Sequence, residues 1–321
     1  MAAEPNKVVI AHRGASGYLP EHTLVGKALA YGMGAHFIEQ DVVLTKDDQT
    51  VVLHDIYLDA VTDVARLFPD RRRDDGRYYA IDLTLAEIKT LNVNERIELQ
   101  QGTVVFPGRF PVSRTPFQIP TLAEEITLIQ GLNQSMGRDV GIYPELKSPA
   151  WHRAQGKDIS QIVLQVLQRF GYDKKSDNIY VQCFDPTELK RLRHELGCEL
   201  KLVQLIGSNE WHVAAADFDR LRTAPGLHET AQYADGIGPW LPHVVLGADG
   251  QAGVRISELV TEAHRHGLVV HPYTLRADQL PDYAGSFEEL LQVFLVEARV
   301  DGVFTDFPDR ASAFTRRIKD D

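Results

Sequence analysis

Short apolar runs alternate with amphipathic stretches along most of this chain. Helix starts lie between the runs, such as the capping box Thr121–Glu124 and the N-cap and proline pair Asp185–Pro186, and Asp306 to Pro308 open a last helix toward Lys319. Strand-then-helix units repeated eight times predict an α/β protein, a (β/α)8 TIM barrel rather than an open doubly wound sheet. The eight predicted strands are 8–11, 37–43, 140–146, 179–183, 200–205, 235–238, 268–273 and 301–305.

One segment interrupts this alternation. Residues 56–118 are too long for a simple strand-to-helix connection, and the capping box Thr84–Glu87 predicts a short helix inside them. We therefore predict a single domain over residues 7–319, with residues 56–118 inserted into it as a subdomain. The insertion follows a strand, so we expect it at the C-terminal face of the barrel.

Composition and charge narrow the class of protein. The 321 residues are enough for one large core, and the net charge of −11 argues against a nucleic-acid partner. An anionic substrate stays compatible with this charge, because one bound cation reverses the field inside a pocket. No apolar run approaches the length of a membrane span. Cys183 and Cys198 are expected to be unpaired thiols.

Three carboxylates lie at the ends of neighbouring predicted strands. Glu39 and Asp41 are two residues apart, so both side chains point to the same face, and Glu145 and Lys147 repeat this spacing on the third strand. One such pair alone is more often a strand-end ion pair. Two pairs on consecutive strands favour a hard-oxygen site for a divalent cation, with Ca²⁺ or Mg²⁺ as candidates.

Two histidines follow apolar runs in the same region. A lone histidine at a strand end is more often structural, but His12 is followed by Arg13, which suits a phosphate clamp, and Lys147 supplies a second cation. Imidazoles have reference pKa values near neutrality, so His12 and His54 suit a pair in which one donates a proton and the other accepts it. Together these residues indicate metal-assisted cleavage of a phosphate ester.

The ordered motifs resemble one enzyme family. The run from His12 to Thr23, followed by Glu39-Gln40-Asp41 and His54-Asp55, is similar to the glycerophosphodiester phosphodiesterases, above all to their bacterial periplasmic, glycerol-3-phosphate-regulon branch. The resemblance extends through Phe304–Pro308 and covers nearly the whole chain. It is weakest at 206–230, in a region expected to form the rim of the pocket.

The resemblance implies an activity and a set of site residues. Family members hydrolyse glycerophosphodiesters, such as glycerophosphocholine and glycerophosphoethanolamine, to sn-glycerol 3-phosphate and an alcohol. In this branch the metal is usually Ca²⁺, with Mg²⁺ as the other candidate. The matching positions are His12 and His54 for catalysis, Glu39, Asp41 and Glu145 for the metal, Arg13 and Lys147 near the phosphate, and Phe184, Trp240 and Tyr273 for the wall around the glycerol and the alcohol.

We take as a mechanistic hypothesis that His54 acts as base and His12 as acid, through a cyclic phosphate that water then opens. Two alternatives stay open at this point: a phospholipase-D-like enzyme acting on lysophospholipids, and a non-catalytic surface or periplasmic binding protein on the same barrel. The expected partner is a small molecule, and a homodimer is also considered. The resemblance favours a periplasmic protein whose signal segment has been removed, with a cytoplasmic location as the alternative.

Overall fold

A computed structural model describes residues 7–112, 116–248 and 253–320. Its central sheet is parallel, and consecutive strands are hydrogen-bonded neighbours from the first to the seventh, with the eighth beside the first. The bond from Leu275 N–H to the Phe304 carbonyl, 2.9 Å, joins the seventh and eighth strand regions and closes the barrel. The strands are β1 Val8–Ala11, β2 Phe37–Leu44, β3 Gly141–Leu146, β4 Tyr180–Cys183, β5 Lys201–Ile206, β6 Gly236–Pro239, β7 Val269–Val270 and β8 Gly302–Thr305. The predicted TIM barrel is confirmed.

Helices surround the barrel where the sequence predicts them. Both predicted capping boxes form, at Thr84 and at Thr121, and Asp185 accepts a hydrogen bond from the Thr187 N–H at 2.9 Å. The outer helices are α1 Leu24–Gly32, α2 Leu122–Met136, α3 Ile159–Arg169, α4 Pro186–His194, α5 Ala224–Thr230, α6 Leu259–Arg265, α7 Phe287–Leu291 and α8 Pro308–Asp320. Shorter α-helices are Val64–Leu67, Leu85–Ile88, Pro149–Ala154, Phe218–Leu221 and Leu241–Val244. The segments Pro69–Arg71, Ala80–Asp82 and Asn209–Trp211 are 3₁₀ helices, and Gln292–Glu297 is a π-helix.

In the described residues, three antiparallel strand pairs lie outside the barrel. The strand Thr50–Val52 folds back on the end of β2, so that Val42 faces Val52. Two small hairpins pair Ile97–Glu98 with Thr103–Val104 and Val245–Ala248 with Val254–Ile256. The Thr50–Val52 strand returns the chain along β2 to the level of Asp41, whose carbonyl accepts from the Leu53 N–H at 2.8 Å just before His54.

The barrel interior is filled below its C-terminal end. Inward side chains from five strands pack together there, and Glu39, Asp41 and Glu145 lie above them because they follow Phe37 and Tyr143 on the same faces. The packed residues are Ile10, Phe37, Tyr143, Val203 and Phe304. Because these apolar side chains fill the interior, the polar site residues lie at the C-terminal end of the barrel.

The segment between Val52 and Leu122 has an apolar cluster of its own. Leu58, Val61 and Leu83 are buried in it and pack against residues of β2 and its antiparallel partner. The bounds 56–118 of the insertion stay a prediction. None of the helices in the described ranges is long and apolar enough to cross a membrane, and both cysteines are free and buried.

Candidate active site

The three predicted metal-binding carboxylates converge at the ends of β2 and β3. Asp41 lies beside Glu145 in the strand register, and Glu39 precedes Asp41 by one pleat repeat. One oxygen of each carboxylate lies within 4.8 Å of the others, and all three residues are buried. Three buried anionic oxygens at this separation suit a divalent cation with oxygen ligands.

The electrostatics of this cluster test whether it fits a cation. Burial and the neighbouring carboxylates raise the pKa of Glu39 well above its usual range and that of Glu145 to about 8. Burial acts the same way on Asp41, but the Lys147 ammonium and a hydrogen bond from His22 hold the pKa of Asp41 well below its usual range. The Oδ1 atom of Asp41 is buried and makes no hydrogen bond within the described residues. This oxygen lies 3.6 Å from the Lys147 ammonium, and a buried oxygen without a hydrogen bond, among carboxylates that repel one another, fits a bound cation.

A second layer of buried polar residues orients Asp41. His22 Nε2 lies 2.7 Å from Asp41 Oδ2, and His22 Nδ1 lies 3.2 Å from the ammonium of Lys27. Lys27 is fully buried and forms an ion pair with Glu125 at 3.2 Å. Because an ammonium only donates, Nδ1 of His22 accepts and its Nε2–H donates to Asp41.

Sequence reasoning missed this second layer. Lys27 and Glu125 lie on the buried faces of α1 and α2 among apolar neighbours. The available signal was the charge of these two residues at helix positions whose neighbours are apolar. Charged residues are rarely buried unless they are paired, so each one indicated a partner.

The two predicted catalytic histidines are both held by carboxylates. His12 Nδ1 lies 2.6 Å from Asp306 Oδ1, and His54 Nδ1 lies 2.6 Å from Asp55 Oδ1. Burial is the main cause that lowers the pKa of each histidine, to about 4. Since an ionised carboxylate only accepts, Nδ1 carries the proton and Nε2 is left for proton transfer. His12 Nε2 lies 4.0 Å from Glu39.

The two predicted phosphate-binding cations lie beside the carboxylates. Arg13 has a positive φ of 57°, its N–H donates to Glu39 Oε2 at 2.7 Å, and its Nη1 donates to Glu21 at 2.9 Å. The Nζ atom of Lys147 lies 2.7 Å from Glu145 Oε1. Arg13 keeps one buried donor, Nε, without a hydrogen-bond partner in the described structure. Both cations therefore face the same cavity as the carboxylates.

A cavity of about 870 Å³ brings all ten predicted site residues together. Phe184, Trp240 and Tyr273 line its wall, with Phe184 edge-on to Tyr273 at 5.9 Å between ring centroids. Trp211 also lines the cavity and packs against Trp240 at 4.9 Å, although it lies in the segment where the sequence resemblance is weakest. Sequence reasoning did not include Trp211 or Trp151, which lines the same cavity. The individual roles of these residues stay predictions.

The closed barrel, with its carboxylates and histidines at the C-terminal end, defines a (β/α)8 protein built for polar chemistry in one deep pocket. Comparison with known proteins makes the assignment specific. The sequence pattern of the glycerophosphoryl diester phosphodiesterase family matches residues 12–310, and the chain belongs to this family. It is therefore an enzyme of the phosphodiesterase class, which confirms that prediction and disfavours the non-catalytic alternative.

Individual relatives support the same assignment. The chain is 44% identical to the glycerophosphodiester phosphodiesterase of Haemophilus influenzae, in an alignment that covers 98% of this chain and 91% of the relative. It is 35% identical to the Treponema pallidum protein of the same name, covering 96% and 91%. Both alignments include the predicted insertion, so the likeness is not confined to the barrel.

Solved structures share the fold. A Silicibacter pomeroyi protein matches with a TM-score of 0.72 at 24% identity, over 98% of this chain and 95% of that one. An Oleispira antarctica phosphodiesterase, solved in complex with the product sn-glycerol-3-phosphate, matches with a TM-score of 0.62 at 22% identity, over 96% of each chain. At these identities the matches establish the architecture alone.

Proposed function

We propose that this enzyme hydrolyses small glycerophosphodiesters, such as glycerophosphocholine and glycerophosphoethanolamine, to sn-glycerol 3-phosphate and an alcohol. The observation that carries the proposal is the convergence, on one cavity, of three buried carboxylates and two histidines that are each held by a carboxylate. The Oleispira antarctica neighbour was solved with sn-glycerol-3-phosphate, the product that this reaction releases.

The proposal includes a divalent cation held by Glu39, Asp41 and Glu145, with Ca²⁺ as the first candidate and Mg²⁺ as the second. Support comes from the donor set, which consists of buried carboxylate oxygens only, and from the unbonded Asp41 Oδ1. When bound, such an ion would offset the negative charge of the phosphodiester and lower the pKa of an oxygen that it contacts.

The chain's own residues carry the proton transfers in this proposal. His54 Nε2 removes the proton from a glycerol hydroxyl, whose oxygen attacks phosphorus. This attack closes a cyclic phosphate as the bond from phosphorus to the alcohol oxygen breaks, and a protonated His12 gives that oxygen its proton. Water then opens the cyclic phosphate, with His12 as the base and His54 as the acid. Asp306 beside His12 stabilises the imidazolium that this scheme requires, and Arg13 and Lys147 face the phosphate charge.

Release of sn-glycerol 3-phosphate from glycerophosphocholine tests the reaction. After chelation we expect no release, and we expect activity to return with Ca²⁺. Calorimetric titration of Ca²⁺ should give binding to the wild type that is lost in Glu145→Gln and kept in Glu210→Gln, an exposed glutamate outside the carboxylate cluster. Turnover of lysophosphatidylcholine in place of glycerophosphocholine would instead favour the phospholipase-D-like alternative.

A periplasmic location is also part of the proposal. Its support is the resemblance of the motifs to the periplasmic branch of the family. Fractionation of cells that express the full natural gene tests it, since release of the protein with the periplasmic fraction is expected and retention in the cytoplasm contradicts it. The homodimer and the absence of a nucleic-acid partner stay predictions.

A further inference from the structure

The predicted insertion sends one arginine to each of the two histidine–carboxylate pairs. Arg96 Nη1 donates to Asp55 Oδ2 at 2.6 Å, while the other oxygen of Asp55 binds His54. Arg109 Nη2 donates to Asp306 Oδ2 at 2.7 Å, while the other oxygen of Asp306 binds His12. In both pairs the carboxylate is held between an imidazole and a guanidinium.

Arg96 also connects its pair to the predicted phosphate clamp. Its Nε and Nη2 atoms donate to the two oxygens of Glu21, at 3.0 and 2.6 Å. Glu21 in turn accepts from Arg13 Nη1 at 2.9 Å. The Arg96 side chain is 17% exposed, so these charge-assisted bonds are largely shielded from water. One side chain of the insertion therefore links the surroundings of His54 to those of Arg13.

Arg109 is even less exposed but shares its carboxylate with another arginine. Its side chain is 4% exposed and is anchored by Asp278, at 2.8 and 3.1 Å, and by the Ser16 carbonyl at 3.2 Å. Asp306 also accepts from Arg276 Nε at 2.7 Å, and Arg276 follows β7 of the barrel. Loss of Arg109 therefore leaves Asp306 with one guanidinium, whereas loss of Arg96 removes the arginine that holds Asp55.

We propose that Arg96 and Arg109 are positioning residues, through which the insertion holds both histidines of the acid–base pair in their working orientation. This inference rests on the proposed function of His12 and His54. A carboxylate fixed at both oxygens cannot rotate, so it presents one oxygen to Nδ1 and fixes both the tautomer and the plane of the imidazole. Orientation of this kind matters because misplacement of a reacting group by about 1 Å costs roughly 100-fold in rate.

A double-mutant cycle tests whether Arg96 acts through His54. We expect Arg96→Met to lower kcat roughly 10- to 100-fold, with a KM change of a few fold because Glu21 and Arg13 relax. In the His54→Ala background the same substitution should cost little further kcat. Arg109→Met, placed on His12→Ala, should show the same non-additivity with a smaller single effect of roughly 3- to 10-fold, because Arg276 stays on Asp306.

A matched control and a spectroscopic readout separate positioning from folding. Arg73 binds Asp82 through Nε and Nη2, at 2.6 and 2.7 Å, in the same insertion, and it does not line the cavity, so Arg73→Met should keep kcat. In ¹⁵N-labelled protein, His54 should show the Nδ1–H tautomer in the wild type and a mixture in Arg96→Ala. Added guanidinium should restore both the tautomer and part of kcat in Arg96→Ala.

The outcomes distinguish this inference from the proposed function. Full activity of His54→Ala would overturn the acid–base role itself, whatever Arg96→Met does. If His54→Ala is impaired, the test is the kcat loss caused by Arg96→Met. An equal loss in the wild type and in the His54→Ala variant would overturn the positioning role of Arg96. An unchanged His54 tautomer in Arg96→Ala, or an equal kcat loss in Arg73→Met, would overturn it as well.

Discussion

The two histidines make the same 2.6 Å contact with a carboxylate, but different parts of the molecule hold them. His12 directly follows β1 and Asp306 directly follows β8, two strands that pair along their whole length, and their side chains are 10% and 2% exposed. His54 and Asp55 are neighbours in a loop beyond the barrel wall, 32% and 25% exposed. Strand pairing brings His12 and Asp306 together, and Arg109 and Arg276 add to the hold on Asp306. His54 and Asp55 are sequence neighbours, and Arg96 of the insertion binds the second oxygen of Asp55.

Removal of either imidazole should have the largest effect. His12→Ala and His54→Ala should each lower kcat by roughly 100- to 10,000-fold at saturating Ca²⁺, because each proton transfer loses its general acid or base. Steady-state release of sn-glycerol 3-phosphate measures this, with the exposed His228→Ala as a control that keeps wild-type kcat.

Imidazole rescue sharpens the comparison between the two variants. Added imidazole should restore part of the activity of His54→Ala, whose site is a third exposed, and much less of that of His12→Ala. Equal rescue of both variants would show that the two sites are equally accessible to imidazole, which contradicts the difference in exposure between His12 and His54.

The two carboxylates should differ in their contribution to stability. Asp306→Asn leaves two arginines facing a neutral amide at a buried position, so we expect the free energy of unfolding to fall by about 3 kcal/mol. Asp55→Asn should cost about 1 kcal/mol or less, because that side chain is partly solvated and Arg96 keeps Glu21. Urea unfolding measures both free energies. A larger loss of stability for Asp55→Asn would show that the His54–Asp55 pair, and not the His12–Asp306 pair, contributes more to the fold.

Two buried histidines, one in the short helix Pro149–Ala154 and one directly after β7, predict how stability depends on pH. Burial lowers the pKa of His152 and of His271 to about 4, below the value near 6.5 expected when unfolded. Between these values the unfolded chain binds more protons, so the free energy of unfolding should fall as pH drops from about 6.5 to about 4.

His152 gives this prediction a structural cause. Its Nε2 accepts from the Leu44 N–H at 3.3 Å and its Nδ1 lies 3.1 Å from the Ser148 carbonyl, so protonation would place a donor against a donor. His152→Gln should therefore flatten the change of melting temperature between pH 7 and pH 5. His194→Gln, at an exposed position, serves as the control and should keep the wild-type slope. A wild-type slope in His152→Gln would contradict this account.

The sequence was sufficient to predict contacts that follow from strand order, and insufficient for contacts made by the insertion. Glu39, Asp41 and Glu145 were placed correctly because period-two spacing and consecutive strands set their faces. The pairing of His12 with Asp306 was missed, although closure of β8 on β1 makes it deducible from the barrel itself.

Arg96 and Arg109 could not be predicted in the same way. The helices and strands of the insertion are too short to set a repeat, so nothing in the sequence indicates which side chain reaches a carboxylate 41 or 197 positions away. The seventh strand shows a smaller error. Predicted over 268–273, it is Val269–Val270. His271 and Tyr273 still donate to carbonyls of β6 at 2.9 and 3.1 Å, but Pro272, whose carbonyl accepts from Phe304 of β8, has no N–H to donate to that strand.

The cavity wall should show the smallest effect. Trp211 is 40% exposed and lines the cavity, so we expect its ring to contact the choline ammonium of glycerophosphocholine. Trp211→Leu should then raise KM by about 2- to 5-fold, since one exposed cation–π contact contributes about 0.5–1 kcal/mol. Its kcat should not change, because the contact is made equally in the ground state and the transition state. With glycerophosphoglycerol, whose alcohol carries no cation, KM should stay at the wild-type value. A loss of kcat comparable to that of Arg96→Met would show that the rim, as well as the insertion, orients the reacting groups.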